Sequence, residues 1–250
     1  MPADGIILFA LLSFAAAYLQ TLTGFAFGLL LMGAVALTGL MPLQEAAVIV
    51  SLLTLANALM VLAKGWREIA MRPFLLALLG AIPLIVVGYV LLDLLASSSL
   101  AALRLMLGLV IIVSSLQLVF RPDAREQLSS SQSFAFFGAL GGIMGGMFST
   151  AGPPLVYHFY RQPLPHRTIR ETLVAIFAVN AIFRLLLVAV TETLPLDAAG
   201  WAMVGLPGVL VATYAARRWP PRLSTAALRR LAFVLLLMSG LSLALPVVLA

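Results

Sequence analysis

The chain has 250 residues, of which 63% are hydrophobic and only 10% carry a charge. Because an ordinary soluble domain is about 25% charged, this composition excludes a soluble globular protein and predicts an all-α, polytopic membrane protein. The 15 Lys and Arg outnumber the 9 Asp and Glu, but they cluster between apolar runs, a pattern that indicates a lipid bilayer rather than nucleic acid as the partner.

The apolar runs predict about eight transmembrane elements. Two of these elements, 5–41 and 133–160, are interrupted by uncharged segments rich in Gly, Ser and Thr, at Thr21–Gly24 and Ser149–Pro154. Such junctions are too short and too apolar for water-exposed loops, so each element is predicted to be a broken helix or a re-entrant hairpin. The remaining runs are long enough for full spans: 43–63, 73–95, 100–120, 171–190, 199–216 and 225–249.

The amino-terminal run lacks a positively charged n-region, so it is interpreted as a retained membrane helix rather than a signal peptide. The chain also has no cysteine, which excludes a disulfide framework and a thiolate metal site.

The two halves of the chain resemble each other. Residues 100–104 match residues 225–229 at four of five positions, and Asn57 and Asn180 occupy equivalent places. We therefore predict two inverted repeats, 1–120 and 133–250, joined by a cytoplasmic linker at 121–132. The alternative is chance similarity between two halves that are both rich in Leu and Ala.

Charge placement predicts the orientation. Thirteen of the 15 basic residues lie in the segments 64–72, 121–132, 161–170 and 217–230. These segments share one side of the membrane if each interrupted element returns to its starting side. The positive-inside rule then places them in the cytoplasm and both termini outside it.

Arg184 lies deep inside the predicted span 171–190, where an arginine costs roughly 2.5–3.5 kcal/mol on insertion scales. Asn180, four residues earlier, shares its helix face. One interpretation is that Arg184 binds an anionic group, bidentately if that group is a carboxylate or sulfonate. The other is that it snorkels to the outer interface or pairs with Glu192 or another helix.

Asn57 and Asn180 have two possible roles. They could hydrogen-bond substrate between the halves, or they could hold the interrupted backbone in place, which is slightly favoured. At the interruptions, helix N termini suit an anion and helix C termini suit a cation, and Arg184 favours the anion. The predicted substrate-binding residues are Arg184, Asn180, Asn57, Thr21, Thr23, Gly24, Ser149, Thr150 and Gly152.

No enzyme, metal or cofactor signature is found in the sequence. His158, His166 and Glu171 lack the spacing of metal ligands. Walker A, GxSxG and HExxH motifs do not occur, and no acid, base and nucleophile cluster at one depth. We therefore predict a protein that is not an enzyme and needs no cofactor or metal.

The two interruptions, the glycine-rich run 141–146 that precedes the second, the asparagine in each half and the repeated Ala-Ala-Leu-Arg element resemble the TauE/SafE sulfite-exporter family over the whole chain. The resemblance implies a carrier of the bacterial inner membrane for sulfite, organosulfonates such as sulfoacetate, or related anions. The first interruption departs from the family's glycine-rich pattern, because Phe25 and Phe27 stand where small residues are common.

The expectation is a secondary transporter that exports a small sulfur-containing or organic anion by alternating access around a midplane site. Its partners would be that anion and the lipid bilayer, without nucleic acid. The alternative is a proton- or cation-coupled carrier, or a channel, for another class of substrate.

Overall fold

The computed structural model describes residues 3–119, 125–191, 196–219 and 225–249. Within these ranges the chain is helical, without strands, which confirms the all-α class. The helices are α1 Ala3–Thr23, α2 Phe27–Thr38, α3 Leu43–Gly65, α4 Met71–Ser98, α5 Leu100–Val119, α6 Ser131–Phe148, α7 Gly152–Tyr160, α8 His166–Thr191, α9 Leu196–Arg218 and α10 Thr225–Leu249, with a 3-10 turn at Trp66–Glu68.

Seven helices of the described chain are long and apolar enough to cross a membrane. Six of them, α3, α4, α5, α8, α9 and α10, coincide with the six predicted full spans. The seventh is α1, whose 21 residues reach about 31 Å at about 1.5 Å per residue. The multi-pass architecture is therefore confirmed, whereas the count of eight elements stays a prediction.

The first interruption begins three residues later than predicted. The hydroxyls of Thr21 and Thr23 donate to the carbonyls of Ala17 and Leu19, one turn earlier, at 2.8 and 2.7 Å. Because this back-bonding satisfies both side chains inside a helix, α1 continues to Thr23, and the non-helical segment is 24–26.

The second interruption is shorter than the predicted 149–154. Ser149 ends α6 in the left-handed conformation, with φ 53°, and α7 begins at Gly152 with Pro153 and Pro154 in its first turn. Proline is compatible with this position because the first helical N–H groups have no intrahelical acceptor. Both α2, of 12 residues, and α7, of nine, are too short to span a bilayer alone.

The most extensive helix contacts join α4 to α6, α5 to α10, and α1 to α9. In α6, Gly138, Gly142 and Gly146 lie against backbone carbonyls of α4, so that a Cβ on any of them would overlap α4. The other glycine pair of the run, Gly141 and Gly145, faces α7 and α8 instead. Small residues thus allow close approach of the two backbones, as in other membrane helix pairs.

The molecule is apolar outside and partly polar inside. Large side chains such as Leu59, Leu79 and Met203 are more than 70% exposed, as expected for a surface covered by lipid. Several polar residues are buried between the helices, among them Ser51, Asn57, Asn180 and Arg184. Because polar groups are costly at this depth, they mark where a functional site is to be sought.

Candidate functional site

The two interruptions lie against each other. A Cβ at Gly28, in the first turn of α2, would lie 2.9 Å from the Cβ of Thr150 and 3.3 Å from the carbonyl oxygen of Ser149. Since α7 begins two residues after Thr150, the N termini of both short helices lie in this region. Each helix N terminus carries roughly half a positive charge, so their combined field favours an anion.

Five residues form a hydrogen-bond network at the first interruption. Oε1 of Gln20 accepts the backbone N–H of Phe27 at 3.0 Å, and Nε2 of Gln20 donates to Oδ1 of Asn57 at 3.4 Å. Nδ2 of Asn57 donates to the hydroxyls of Thr213, at 2.8 Å, and Thr21, at 3.1 Å. Asn57 is fully buried, and this network ties α1, α3 and α9 together.

Thr23 and Gly24 lie toward the end of α7 and the start of α8. The carbonyl oxygen of Thr23 accepts a hydrogen bond from the hydroxyl of Tyr160 at 2.9 Å. Gly24 has φ +82°, and a Cβ there would lie 2.8 Å from Cγ of Arg170. Positive φ and this close approach together explain glycine at position 24.

The residues of the second interruption differ in how they are held. The hydroxyl of Ser149 lies 2.7 Å from that of Ser51 in α3 and also donates to the carbonyl of Ala47. Thr150 is 8% exposed and makes no hydrogen bond within the described part of the chain. Gly152 is the first residue of α7. Ser149 is thus anchored to α3, whereas the hydroxyl of Thr150 remains available to bind a ligand.

Asn180, the predicted counterpart of Asn57, has a different environment. It is 4% exposed, and neither its amide nitrogen nor its amide oxygen has a hydrogen-bond partner among the described residues. It lies beside α6, where a Cβ on Gly145 would be 3.4 Å from Nδ2 of Asn180. A buried polar group without a partner costs about 1–3 kcal/mol, which makes Asn180 a candidate contact for a ligand.

Arg184 lies inside the protein rather than in the lipid. It is 1% exposed, its Nε donates to the carbonyl of Gly146 at 3.0 Å, and its guanidinium lies 5.9 Å from the centre of the Tyr89 ring. The burial of Arg184 excludes the interpretation that its side chain snorkels to the outer interface. Its hydrogen bond to another helix is made to the last turn of α6, where the helix dipole favours a cation. Glu192, the other partner considered, lies outside the described residues, as do residues 121–124 of the linker.

A small cavity of about 20 Å³ leads to Arg184. Its lining comes from the start of α3, the second half of α4 and α8, and consists of Gln44, Tyr89, Leu92, Asp93 and Arg184. The structure therefore places Arg184, Asn180 and the last turn of α6 together, and it places Asn57 and Thr21 in a separate network at the first interruption.

Sequence reasoning missed three members of these networks: Gln20, Ser51 and Thr213. A polar residue inside an apolar run was the available signal for each of them. It assigned no role to Glu171, which is buried and whose Oε1 accepts a hydrogen bond from Arg170 at 2.7 Å. No group of three metal ligands occurs within the described ranges.

The protein has seven helices that are long and apolar enough to span a membrane, within the described residues. A cation and amides are buried beside its interrupted helices. These features define a multi-pass membrane protein of the transporter class. The chain matches the family model described as "Sulfite exporter TauE/SafE" over residues 9–243. It is 39% identical over 234 residues to the probable sulfite/organosulfonate exporter TauE of Cupriavidus necator, an alignment that covers 94% of this chain and 91% of that protein.

The chain therefore belongs to the TauE/SafE sulfite exporter family, a family of membrane transporters, which confirms the resemblance identified from the sequence motifs. An anionic small molecule is accordingly the class of substrate, and a membrane is the location. No solved structure matches the chain.

Proposed function

We propose that this transporter exports sulfite or an organosulfonate from the cytoplasm across the bacterial inner membrane. The observation that carries the proposal is a buried guanidinium, that of Arg184, one helical turn from the unpartnered amide of Asn180. Sulfite and sulfonate present several oxygen acceptors on one sulfur, which suit a guanidinium and an amide N–H. The relative from Cupriavidus necator is named for the same two substrate classes.

Alternating access is the proposed mechanism, with two inverted repeats that move around the interrupted helices. Helix contacts support this relation. If α1–α5 correspond to α6–α10, the contact of α4 with α6 corresponds to that of α9 with α1, and both are extensive. Likewise α5 contacts its own counterpart α10, and α3 contacts its counterpart α8, as expected of helices that lie beside a pseudo-two-fold axis between the halves.

The proposed direction follows from charge. The basic segments are proposed to lie in the cytoplasm and both termini outside it. The negative potential of the cytoplasm repels an anion and so favours its exit by about 2.3 kcal/mol per charge per 100 mV. A proton- or cation-coupled carrier or a channel is the second candidate, and it would use the carbonyls at the interruptions. The converging N termini of α2 and α7 and the family favour the anion.

Efflux from proteoliposomes loaded with sulfite or sulfoacetate tests this proposal. We expect Arg184→Ala to lower the efflux rate by about 10–100-fold, because a hydrogen bond to a charged group contributes about 1.5–3 kcal/mol. Arg184→Lys should retain part of the activity, since it keeps the charge but loses the bidentate geometry. Arg67→Ala is the matched control, because Arg67 is exposed and only covers the Trp66 ring.

Arg184 also donates a hydrogen bond to the carbonyl of Gly146, so its replacement can lower stability as well as binding. Each variant is therefore compared with the wild type by thermal unfolding in detergent before its efflux is interpreted. Equal efflux by folded Arg184→Ala and the wild type would remove Arg184 from the mechanism. Absence of efflux of every sulfur-containing anion by the wild type would reject the substrate class.

A further inference from the structure

We propose that the chain has one anion site and not two: the anion binds at Asn180, and the side chain of Gln20 permanently occupies the equivalent position in the first half. This inference rests on the proposed anion export and adds the residue that distinguishes the two half-sites. It also explains why two asparagines at equivalent positions have opposite hydrogen-bond environments.

The equivalence of the two half-sites follows from the repeat. Thr21–Gly24 parallels 149–152, so Gln20, which precedes Thr21, corresponds to Phe148, which precedes Ser149. Thr213 follows Pro207 by six residues, as Tyr89 follows Pro83. The partners of Asn57 in the first half thus have defined counterparts around Asn180 in the second.

In the first half-site, Oε1 of Gln20 occupies an acceptor position that an oxygen of a bound oxyanion would otherwise take. Oε1 of Gln20 accepts a backbone N–H from the first turn of α2, and the amide group of Gln20 bonds Asn57. Nδ2 of Asn57 donates its two hydrogen bonds to the hydroxyls of Thr21 and Thr213. Because both N–H groups of Asn57 are engaged and the side chain of Gln20 lies against the start of α2, Asn57 has no donor left for an anion.

In the second half-site, the corresponding residues leave Asn180 without these partners. Phe148 is buried and has no side-chain polar atom to replace the amide of Gln20. The hydroxyl of Tyr89 lies 2.8 Å from that of Thr191. Nδ2 of Asn180 is therefore an unused donor beside the second interruption, and Arg184 lies on the same helix face to supply charge.

The test compares Asn180→Ala with its matched counterpart Asn57→Ala in the full-length chain, by the KM for sulfite efflux and by the midpoint of thermal unfolding. Asn180→Ala should raise KM about tenfold, the effect of one hydrogen bond of about 1.4 kcal/mol, and should leave the midpoint unchanged or raise it. Asn57→Ala should lower the midpoint by several degrees and leave KM within twofold, because it removes the acceptor of the buried Gln20 Nε2 and two further buried hydrogen bonds, to Thr21 and Thr213.

If Asn57→Ala does not fold, Thr213→Val replaces it, because it removes one bond of the same network while keeping the side-chain shape; a lower midpoint with an unchanged KM is again expected. Equal increases in KM for both half-sites would overturn the proposal in favour of two symmetric sites. An unchanged KM for Asn180→Ala, with normal wild-type efflux, would overturn this inference alone, whereas a wild type without efflux would refute the proposed function.

Discussion

The backbone at Ala26 is under strain. This buried alanine, between α1 and α2, has φ +94°, a region that costs an L-residue with a Cβ about 1–2 kcal/mol. Gly24 and Gly39 adopt positive φ as well, but glycine does so without this cost. Ala26 is therefore the one residue of the segment 24–26 that is not glycine and yet has the positive φ that favours glycine.

Replacement of Ala26 by glycine should stabilise the protein. Relief of about 1–2 kcal/mol of strain exceeds the roughly 0.5–1 kcal/mol that glycine loses in chain entropy, so the midpoint of thermal unfolding in detergent should rise. Ala34→Gly, the same substitution inside α2, is the control and should lower the midpoint. Two equal decreases would contradict a left-handed residue at position 26.

At the scale of single residues, the sequence identified what was chemically conspicuous. Arg184 and Asn180 were evident because each interrupts a long apolar run, and both are buried side by side in one helix. The partners of Asn57 were not evident, because Thr213 lies 156 residues away and only the packing of α3 against α9 brings it near. One sequence without its fold contains no information about that proximity.

At the scale of elements, composition located both interruptions but not their limits. Threonine was read as part of the first interruption, yet Thr21 and Thr23 bond to carbonyls of their own helix. A hydroxyl side chain is compatible with either state, so only the glycine at position 24 fixes where α1 ends. The prolines 153 and 154, at the end of the second predicted interruption, lie in the first turn of α7, where their missing N–H groups are tolerated.

The contact between α4 and α6 depends on glycine. Gly142→Ala would place a methyl group onto the backbone of Ala81, and overpacking of this kind costs about 1–3 kcal/mol. We expect the midpoint of thermal unfolding to fall by several degrees. Leu140→Ala, on an exposed part of the same helix, is the control and should change the midpoint much less. An unchanged midpoint for Gly142→Ala would contradict direct backbone contact at this crossing.

At the scale of the whole molecule, run length predicted the six full spans because hydrophobic thickness dictates helix length. It did not predict that α1 is long enough to cross alone, since the hydroxyl-rich end of α1 was assigned to the interruption. Neither could it predict which helices pack together, because lipid-facing and protein-facing apolar residues look alike in a sequence. The glycines of α6 are the one exception, because small residues spaced four apart are typical of close helix packing, but the spacing does not identify α4 as the partner.

If the halves are inverted as proposed, equivalent helix ends lie on opposite sides of the membrane. Because the chain has no cysteine, a single exposed cysteine can be labelled with a membrane-impermeant maleimide in right-side-out vesicles without background. Ser97→Cys, at the end of α4, should react at once, whereas Trp219→Cys, just after α9, should react only after permeabilisation. The cysteine-free wild type is the control. Labelling of both positions from outside would mean that the halves are parallel, and it would remove the basis for alternating access between inverted repeats. Labelling of Trp219→Cys alone from outside would keep the inversion but place both termini in the cytoplasm.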